Sequence, residues 1–204
     1  MDIASTLTTL PSLNALPDRL RLPLEIEAAA LAAEAAALPQ SAWTRHFVPG
    51  NYRGDWSVVP LRAPAGASHP ILQITSPPEC KDWVETAHLA ACPAIAALLA
   101  RFECPLAAVR LMRLGPGSEI LEHFDHDLAA QYGMARLHVP LTSSPQVEFL
   151  LNRRAVDMTP GECWYLRLAD PHAVTNRGAS DRIHLVIDAE VNAWLAALLL
   201  GAAA

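Results

Sequence analysis

Charge is scarce in this chain, and basic charge is not clustered. Charged residues make up 18% of it and leave a net charge of −6, with a pI near 5.7. Binding to nucleic acid calls for grouped Lys and Arg, so a nucleic-acid partner is not expected. Long apolar runs are missing as well. The longest, Ala193 to Ala204, spans 12 residues, short of the ~20 needed to cross a bilayer. It reads as a terminal helix packed on the domain, and no membrane partner is expected. The start, Met1-Asp2-Ile3, is acidic where a secretory signal would be basic. Cys80, Cys92, Cys104 and Cys163 lie far apart with no C-x-x-C pair. They read as reduced, structural cysteines of a soluble cytoplasmic protein.

What is present is apolar material. At 52% hydrophobic residues over 204 positions, the chain is long enough for a core and too apolar for disorder. We expect a single domain over 1–204, in three stretches. Residues 1–108 read as helix and loop, 109–188 as a β core, and 189–204 as a C-terminal helix. Leu24 to Leu38 is dense in Ala, Leu and Glu and stops at Pro39, which predicts a helix. Lys81 to Phe102 also reads as helical, split at Pro93. His46 to Leu72, rich in Pro, Gly and aromatics, predicts short strands and loops in the wall of a site.

From Val109 onward, short apolar segments alternate with turn residues such as Gly115-Pro116-Gly117-Ser118 and Thr159-Pro160-Gly161. That punctuation predicts a mainly β fold with flanking helices, a sandwich or barrel for which a jelly roll is the natural candidate. Within it lies a spaced set of polar residues. His123-Phe124-Asp125 is followed 47 residues after Asp125 by His172, and ten residues later by Arg182. Two imidazoles and a carboxylate can cap one face of a metal octahedron and leave three positions open, the pattern of non-haem Fe(II) oxygenases. The trailing Arg182 suggests a carboxylate-bearing cosubstrate beside the metal.

Because residues i and i+2 share a face of a strand, His123 and Asp125 should project together, with Phe124 turned into apolar packing. The same rule pairs Arg136 with His138 and Arg182 with His184. Three strands would then each offer two polar groups to one interior, which marks a site rather than a core, since unpaired buried polar groups are costly. Each element also has a plainer reading. His126 could replace a ligand through a shifted register, His138 could be a structural histidine, and Arg182 could pair with Asp181 at the surface. His46, His69 and His88 read as surface or loop residues. Asn176 and Glu162 are candidates for steadying the ligands, and Arg113 and Arg53 for receiving a substrate carboxylate.

The stretch from Val109 to Asp188 resembles the aspartyl/asparaginyl β-hydroxylase family, whose relatives include bacterial proline hydroxylases. Its matching segments include Leu114-Gly115-Pro116-Gly117, His123-Phe124-Asp125, Arg136-Leu137-His138-Val139-Pro140-Leu141, Pro160-Gly161-Glu162-Cys163-Trp164, Pro171-His172-Ala173-Val174 and Asp181-Arg182-Ile183-His184. The resemblance implies a double-stranded β-helix, a cupin-like jelly roll, that uses Fe(II), O2 and 2-oxoglutarate. It implies His123, Asp125 and His172 as metal ligands and Arg182 on the distal carboxylate of 2-oxoglutarate. It further implies His138 at the chelating end of that cosubstrate and Arg136 on the substrate. The reaction would hydroxylate an unactivated C–H bond of an amino-acid-like substrate, free, carrier-bound or peptidyl, and release succinate and CO2. Asp125 sides with the amino-acid hydroxylases and against a halogenase, in which a small residue frees that metal position for halide. Two other readings compete: a cupin-type metalloenzyme that does not use 2-oxoglutarate, and a non-catalytic sensor of small acids.

Overall fold

The computed structural model describes residues 12–77 and 79–203, so the Met1-Asp2-Ile3 start lies outside the described residues. Two antiparallel sheets face one another. The larger runs β1 (Arg19–Leu22), β11 (Cys163–Leu166), β8 (Met134–Thr142), β13 (Arg182–Glu190), β6 (Leu106–Leu114), β4 (Trp56–Pro64) and β2 (Thr44–Arg45), with β5 (Trp83–Glu85) added along β4. The smaller runs β10 (Arg154–Ala155), β9 (Val147–Leu151), β12 (His172–Asn176), β7 (Glu119–His123) and β3 (Tyr52–Arg53). The fold is mainly β, a double-stranded β-helix of the jelly-roll, cupin-like class.

The larger sheet is covered on both faces, and period-2 alternation sorts its side chains. Leu137, Val139 and Leu141 of β8, Leu185 and Ile187 of β13, Val109 and Leu111 of β6, and Val59 and Leu61 of β4 point outward into the main apolar core. There they meet Leu31 and Ala35 of α1 (Ala28–Ala37), residues of α4 (Pro93–Leu99) and Leu195 and Leu199 of α5 (Ala193–Ala203). The alternate positions point between the sheets. Trp56 and Leu114 join Tyr52, Ile120, Phe149 and Val174 in a second core there. The polar members of the same rows, Arg110, Arg136, His138, Arg182, His184 and Asp188, are left facing the inter-sheet space.

Two helical expectations are adjusted. The first helix opens at Ala28 rather than Leu24, and its Glu34 carboxylate receives the backbone N–H groups of Ala94 (2.6 Å) and Ile95 (3.0 Å) at the start of α4. Lys81 to Phe102 is helical only from Ala87, in two pieces that part before Pro93 as expected. Trp83–Glu85 adds a strand to the edge of β4, because the pairing of Arg62, Ala63 and Pro64 with Glu85, Val84 and Trp83 outweighs local propensity. The short α3 (Ala87–Ala90) follows, capped by the Thr86 hydroxyl, and α4 begins with Pro93 in its first turn, where a missing N–H costs nothing. A four-residue helix, α2 (Pro70–Gln73), interrupts the loop after β4.

Candidate metal centre

β7 and β12 are paired so that His123 and His172 are direct cross-strand neighbours, with ring centroids 4.3 Å apart. Asp125 completes the group. One donor atom from each of His123, Asp125 and His172 lies within 4.8 Å of the others. The strand rule did not place Asp125 there. β7 stops at His123, and the chain turns so that the Asp125 N–H donates to the Leu168 carbonyl at 2.8 Å. The same turn exposes Phe124, 53% accessible, where apolar packing was expected. It also leaves His126 exposed against the Phe124 ring and outside the three-residue group.

The chemistry of the donor set fits a divalent transition metal. His123 Nδ1 lies 2.7 Å from the Leu121 carbonyl and His172 Nδ1 lies 3.0 Å from the Asp170 carbonyl. A carbonyl only accepts, so each Nδ1 carries the proton and each Nε2 presents a bare lone pair. Burial pushes the His172 imidazole down to about 4, which keeps it neutral and ligand-competent at neutral pH. Asp125 Oδ1 faces His123 Nε2 at 3.8 Å, while its Oδ2 accepts from Arg136 NH1 at 2.6 Å. Two imidazole nitrogens and one carboxylate oxygen make a facial set suited to Fe(II).

The group sits on a cavity of about 710 Å³ between the sheets. Deep in it, Arg182 is 3% exposed. It makes no ion pair among the described residues, and its Nε has no hydrogen-bond partner. Burial pulls the guanidinium down to about 9. The surface pairing with Asp181 is therefore excluded. Arg182 NH2 instead donates to His184 Nδ1 at 2.9 Å, as the shared strand face predicted. His138 Nδ1 lies 3.4 Å from the same His184 nitrogen. The His138 Nε2 is buried without a partner. Burial holds both imidazoles well below their ordinary range. Phe149 forms the wall between, stacked parallel to His172 at 6.3 Å and under Arg182 at 5.9 Å.

A second set of charges lines the same cavity. Arg136 and Asp188 are cross-strand partners on β8 and β13, joined by a two-point contact of 2.6 and 2.9 Å. Arg110 of β6 reaches Asp188 at 3.2 Å and also donates to the Ser76 hydroxyl. Burial would raise Asp188, but the two arginines outweigh it and hold the carboxyl below its usual value. Arg110 and Asp188 were missed from the sequence. Asp188 continues the 182, 184, 186, 188 face of β13, and Arg110 is a lone charge inside an apolar strand, so the signal was present. His46 lies in the loop after β2, as expected, but its ring is half-buried rather than at the open surface. It stacks on Trp56 with centroids 3.5 Å apart and lines the cavity, and burial pushes it down to about 4.

Other expected contributors are placed elsewhere. Glu162 accepts from Trp164 Nε1 and the Thr159 N–H and pairs with Arg21. Asn176 is buried and donates to the Leu114, Gly115 and Ser180 carbonyls, bracing the loop before β7 rather than a ligand. Arg113 lies over Trp43 and bonds Ser57, and Arg53 pairs with Glu119 in solvent. His69 caps the start of α2, and His88 lies within α3.

A family model described as aspartyl/asparaginyl beta-hydroxylase matches residues 25–191. The chain belongs to that family. It is accordingly an enzyme of the 2-oxoglutarate-dependent hydroxylase class. No curated protein sequence gives a significant match. Among solved structures, a 2OG-Fe(II) oxygenase family oxidoreductase from Burkholderia pseudomallei aligns over 90% of this chain and 90% of its own, at 17% identity and TM-score 0.60. A Trichoplax adhaerens prolyl hydroxylase, solved with a hypoxia inducible factor peptide fragment, aligns over 89% and 87%, at 12% identity and TM-score 0.51. A viral collagen prolyl hydroxylase from Paramecium Bursaria Chlorella virus-1, solved as a 2OG complex, aligns over 86% and 97%, at 11% identity and TM-score 0.50. At these identities the likeness is one of fold. Among the described residues, no helix of this aspartyl/asparaginyl β-hydroxylase family member is long and apolar enough to cross a membrane.

Proposed function

We propose that this enzyme hydroxylates an unactivated C–H bond of an amino-acid-like substrate, free, carrier-bound or peptidyl, with Asp and Asn residues among the candidates, releasing succinate and CO2. The carrying observation is the His123–Asp125–His172 group, with both Nε2 lone pairs and Asp125 Oδ1 gathered at the wall of one deep cavity. These three side chains would hold Fe(II), which with 2-oxoglutarate and O2 supplies the oxidising power. The protein supplies position and dryness.

Arg182 is the anchor for the distal carboxylate of 2-oxoglutarate. A buried guanidinium with an unpartnered Nε is half of a charge-assisted pair, and its planar fork matches a carboxylate in a way a lysine would not. His138 turns its unpartnered Nε2 to the same cavity, where as an N–H donor it would meet the chelating end of the cosubstrate. Phe149 keeps water off the connecting chain. Arg136, together with Arg110, turns the remaining guanidinium hydrogens toward a substrate carboxylate. Four unpaired cysteines fit a reducing compartment, and we place the enzyme in the cytoplasm.

The test is succinate release by anaerobically reconstituted Fe(II) protein given 2-oxoglutarate, O2 and a pool of amino acids and short Asp- or Asn-containing peptides. Succinate above background that Arg182→Ala and His172→Ala both abolish, with a one-oxygen mass gain on one pool member, is the expected result. Failure of the protein to bind both Fe(II) and 2-oxoglutarate would overturn the reading.

A further inference from the structure

The three ligands are not held equally well by their own elements. His123 and His172 stand on paired strands, and each is tied at Nδ1 to a carbonyl. Asp125 lies past the end of β7, in a turn anchored through its backbone, where its N–H donates to the Leu168 carbonyl and its own carbonyl accepts from the Leu128 N–H. Nothing on its own segment fixes the carboxylate. The fixing contact comes from across the cavity, where Arg136 NH1 takes Oδ2 at 2.6 Å and leaves Oδ1 toward His123.

Arg136 is itself immobilised. Its Nε and NH2 grip both oxygens of Asp188, which stands directly opposite it in the β8–β13 register. Asp188 is in turn gripped by Arg110, whose other arm is on Ser76. Asp188 and Arg136 are almost wholly shielded from solvent, so these pairs are little screened. The chain of contacts runs from a rigid sheet to the least constrained ligand.

We infer that Asp188 and Arg136 form a positioning arm that presents Asp125 to the metal through Oδ1 alone, making Asp188 a determinant of metal affinity although it touches none of the three ligands. This rests on the metal-centre reading above. The physical reason is twofold. An arginine on Oδ2 blocks two-oxygen chelation and so helps keep neighbouring metal positions open. It also pre-sets a side chain that would otherwise lose rotamer freedom on metal binding. Partners that orient a ligand in this way typically govern about 10–100-fold in metal affinity. A purely substrate-binding Arg136 predicts no such dependence.

The experiment measures Co(II) binding to the full chain by titration calorimetry and by the visible Co(II) absorption bands, without substrate or 2-oxoglutarate. Asp188→Asn keeps the side-chain shape and removes the charge that aims Arg136. Arg136→Lys keeps the charge and removes the fork. Both are expected to bind Co(II) about 10–100-fold more weakly than native, with shifted bands. Arg182→Lys, a substitution of an equally buried cation in the same cavity that contacts no ligand, is expected to keep native Co(II) affinity and bands. That separates positioning from a general loosening of the cavity. If Asp188→Asn does not fold, Arg136→Lys reads the same arm. Native-like affinity and bands in the folded arm variants would overturn the positioning role. Failure of the native chain to bind Co(II) would overturn the metal centre and the arm with it.

Discussion

Arg182 is the cation whose surroundings make the sharpest prediction. It is fully buried with no carboxylate partner among the described residues, and burial has pulled it from an ordinary value of 12.5 to about 9. At 1.36 kcal/mol per pKa unit, carrying this charge costs the cosubstrate-free protein roughly 3–5 kcal/mol. Arg182→Met removes the cost, keeps most of the volume and loses one hydrogen bond to His184, worth about 1 kcal/mol. The net is a stabilisation of roughly 2–4 kcal/mol, or about 4–16 °C in the melting temperature of a protein of this length. Function should move the other way. Saturating 2-oxoglutarate at a hundred times Kd stabilises the native, metal-loaded protein by about 2.7 kcal/mol, and this increment should vanish in the variant. Differential scanning fluorimetry with and without 2-oxoglutarate reads both quantities. If Arg182→Met melts below the native protein, or keeps the native response to 2-oxoglutarate, then Arg182 is not an unpaired cation awaiting a carboxylate.

Three further outcomes are expected. Because burial depresses the folded-state values of His46, His138 and His184, the unfolded chain binds protons on acidification that the folded chain refuses. Stability of the metal-free protein should therefore be full above about 6.5 and fall as the pH drops toward 4. Urea denaturation across that range measures it, and a flat profile would contradict the burial of these rings. Native protein should show one promptly reactive thiol with a disulfide reagent and four after denaturation. Cys92, Cys104 and Cys163 are buried, the last two pushed up to about 11 and 12, whereas Cys80 lies at the cavity wall. Gly161→Ala places a side chain at φ +92° with its Cβ 2.9 Å from the Ile26 carbonyl. It should cost roughly 1–3 kcal/mol in unfolding free energy while leaving Co(II) affinity unchanged.

How far the sequence could be read depends on what kind of contact built each feature. In β8 and β13 the period of two placed Arg136 with His138 and Arg182 with His184 on one face, because the strands are long and the pleat leaves no choice. His123 and His172 were marked as ligands by the spacing of the metal pattern, whereas the β7–β12 register that sets them side by side was not legible. Asp125 reached the site by a different route, a turn anchored on Leu168, and the rule that predicted its position mispredicted Phe124. Asp188 and Arg110 escaped notice because a lone charge in an apolar strand shows no partner locally. Their contact spans 78 residues of sequence and depends on register between strands, which alternation does not encode. The strand at Trp83–Glu85 was hidden for a related reason, since only the edge of β4 makes it a strand. His46 failed at shorter range, its stack on Trp56 being a matter of side-chain direction alone.

The strands contributed by the first half of the chain bear on how this fold can be cut. β1 caps β11, and β4 caps β6, so both flanks of the larger sheet are closed by residues before 109. A fragment spanning only 109–188 would keep the three candidate ligands and Arg182, yet it would bare two rows of unpaired backbone groups along long, apolar strands. Such flanks template association with other chains. The segment richest in chemistry is therefore the one least able to stand alone. Deletions or domain exchanges made at its sequence boundaries should yield aggregates rather than a minimal enzyme.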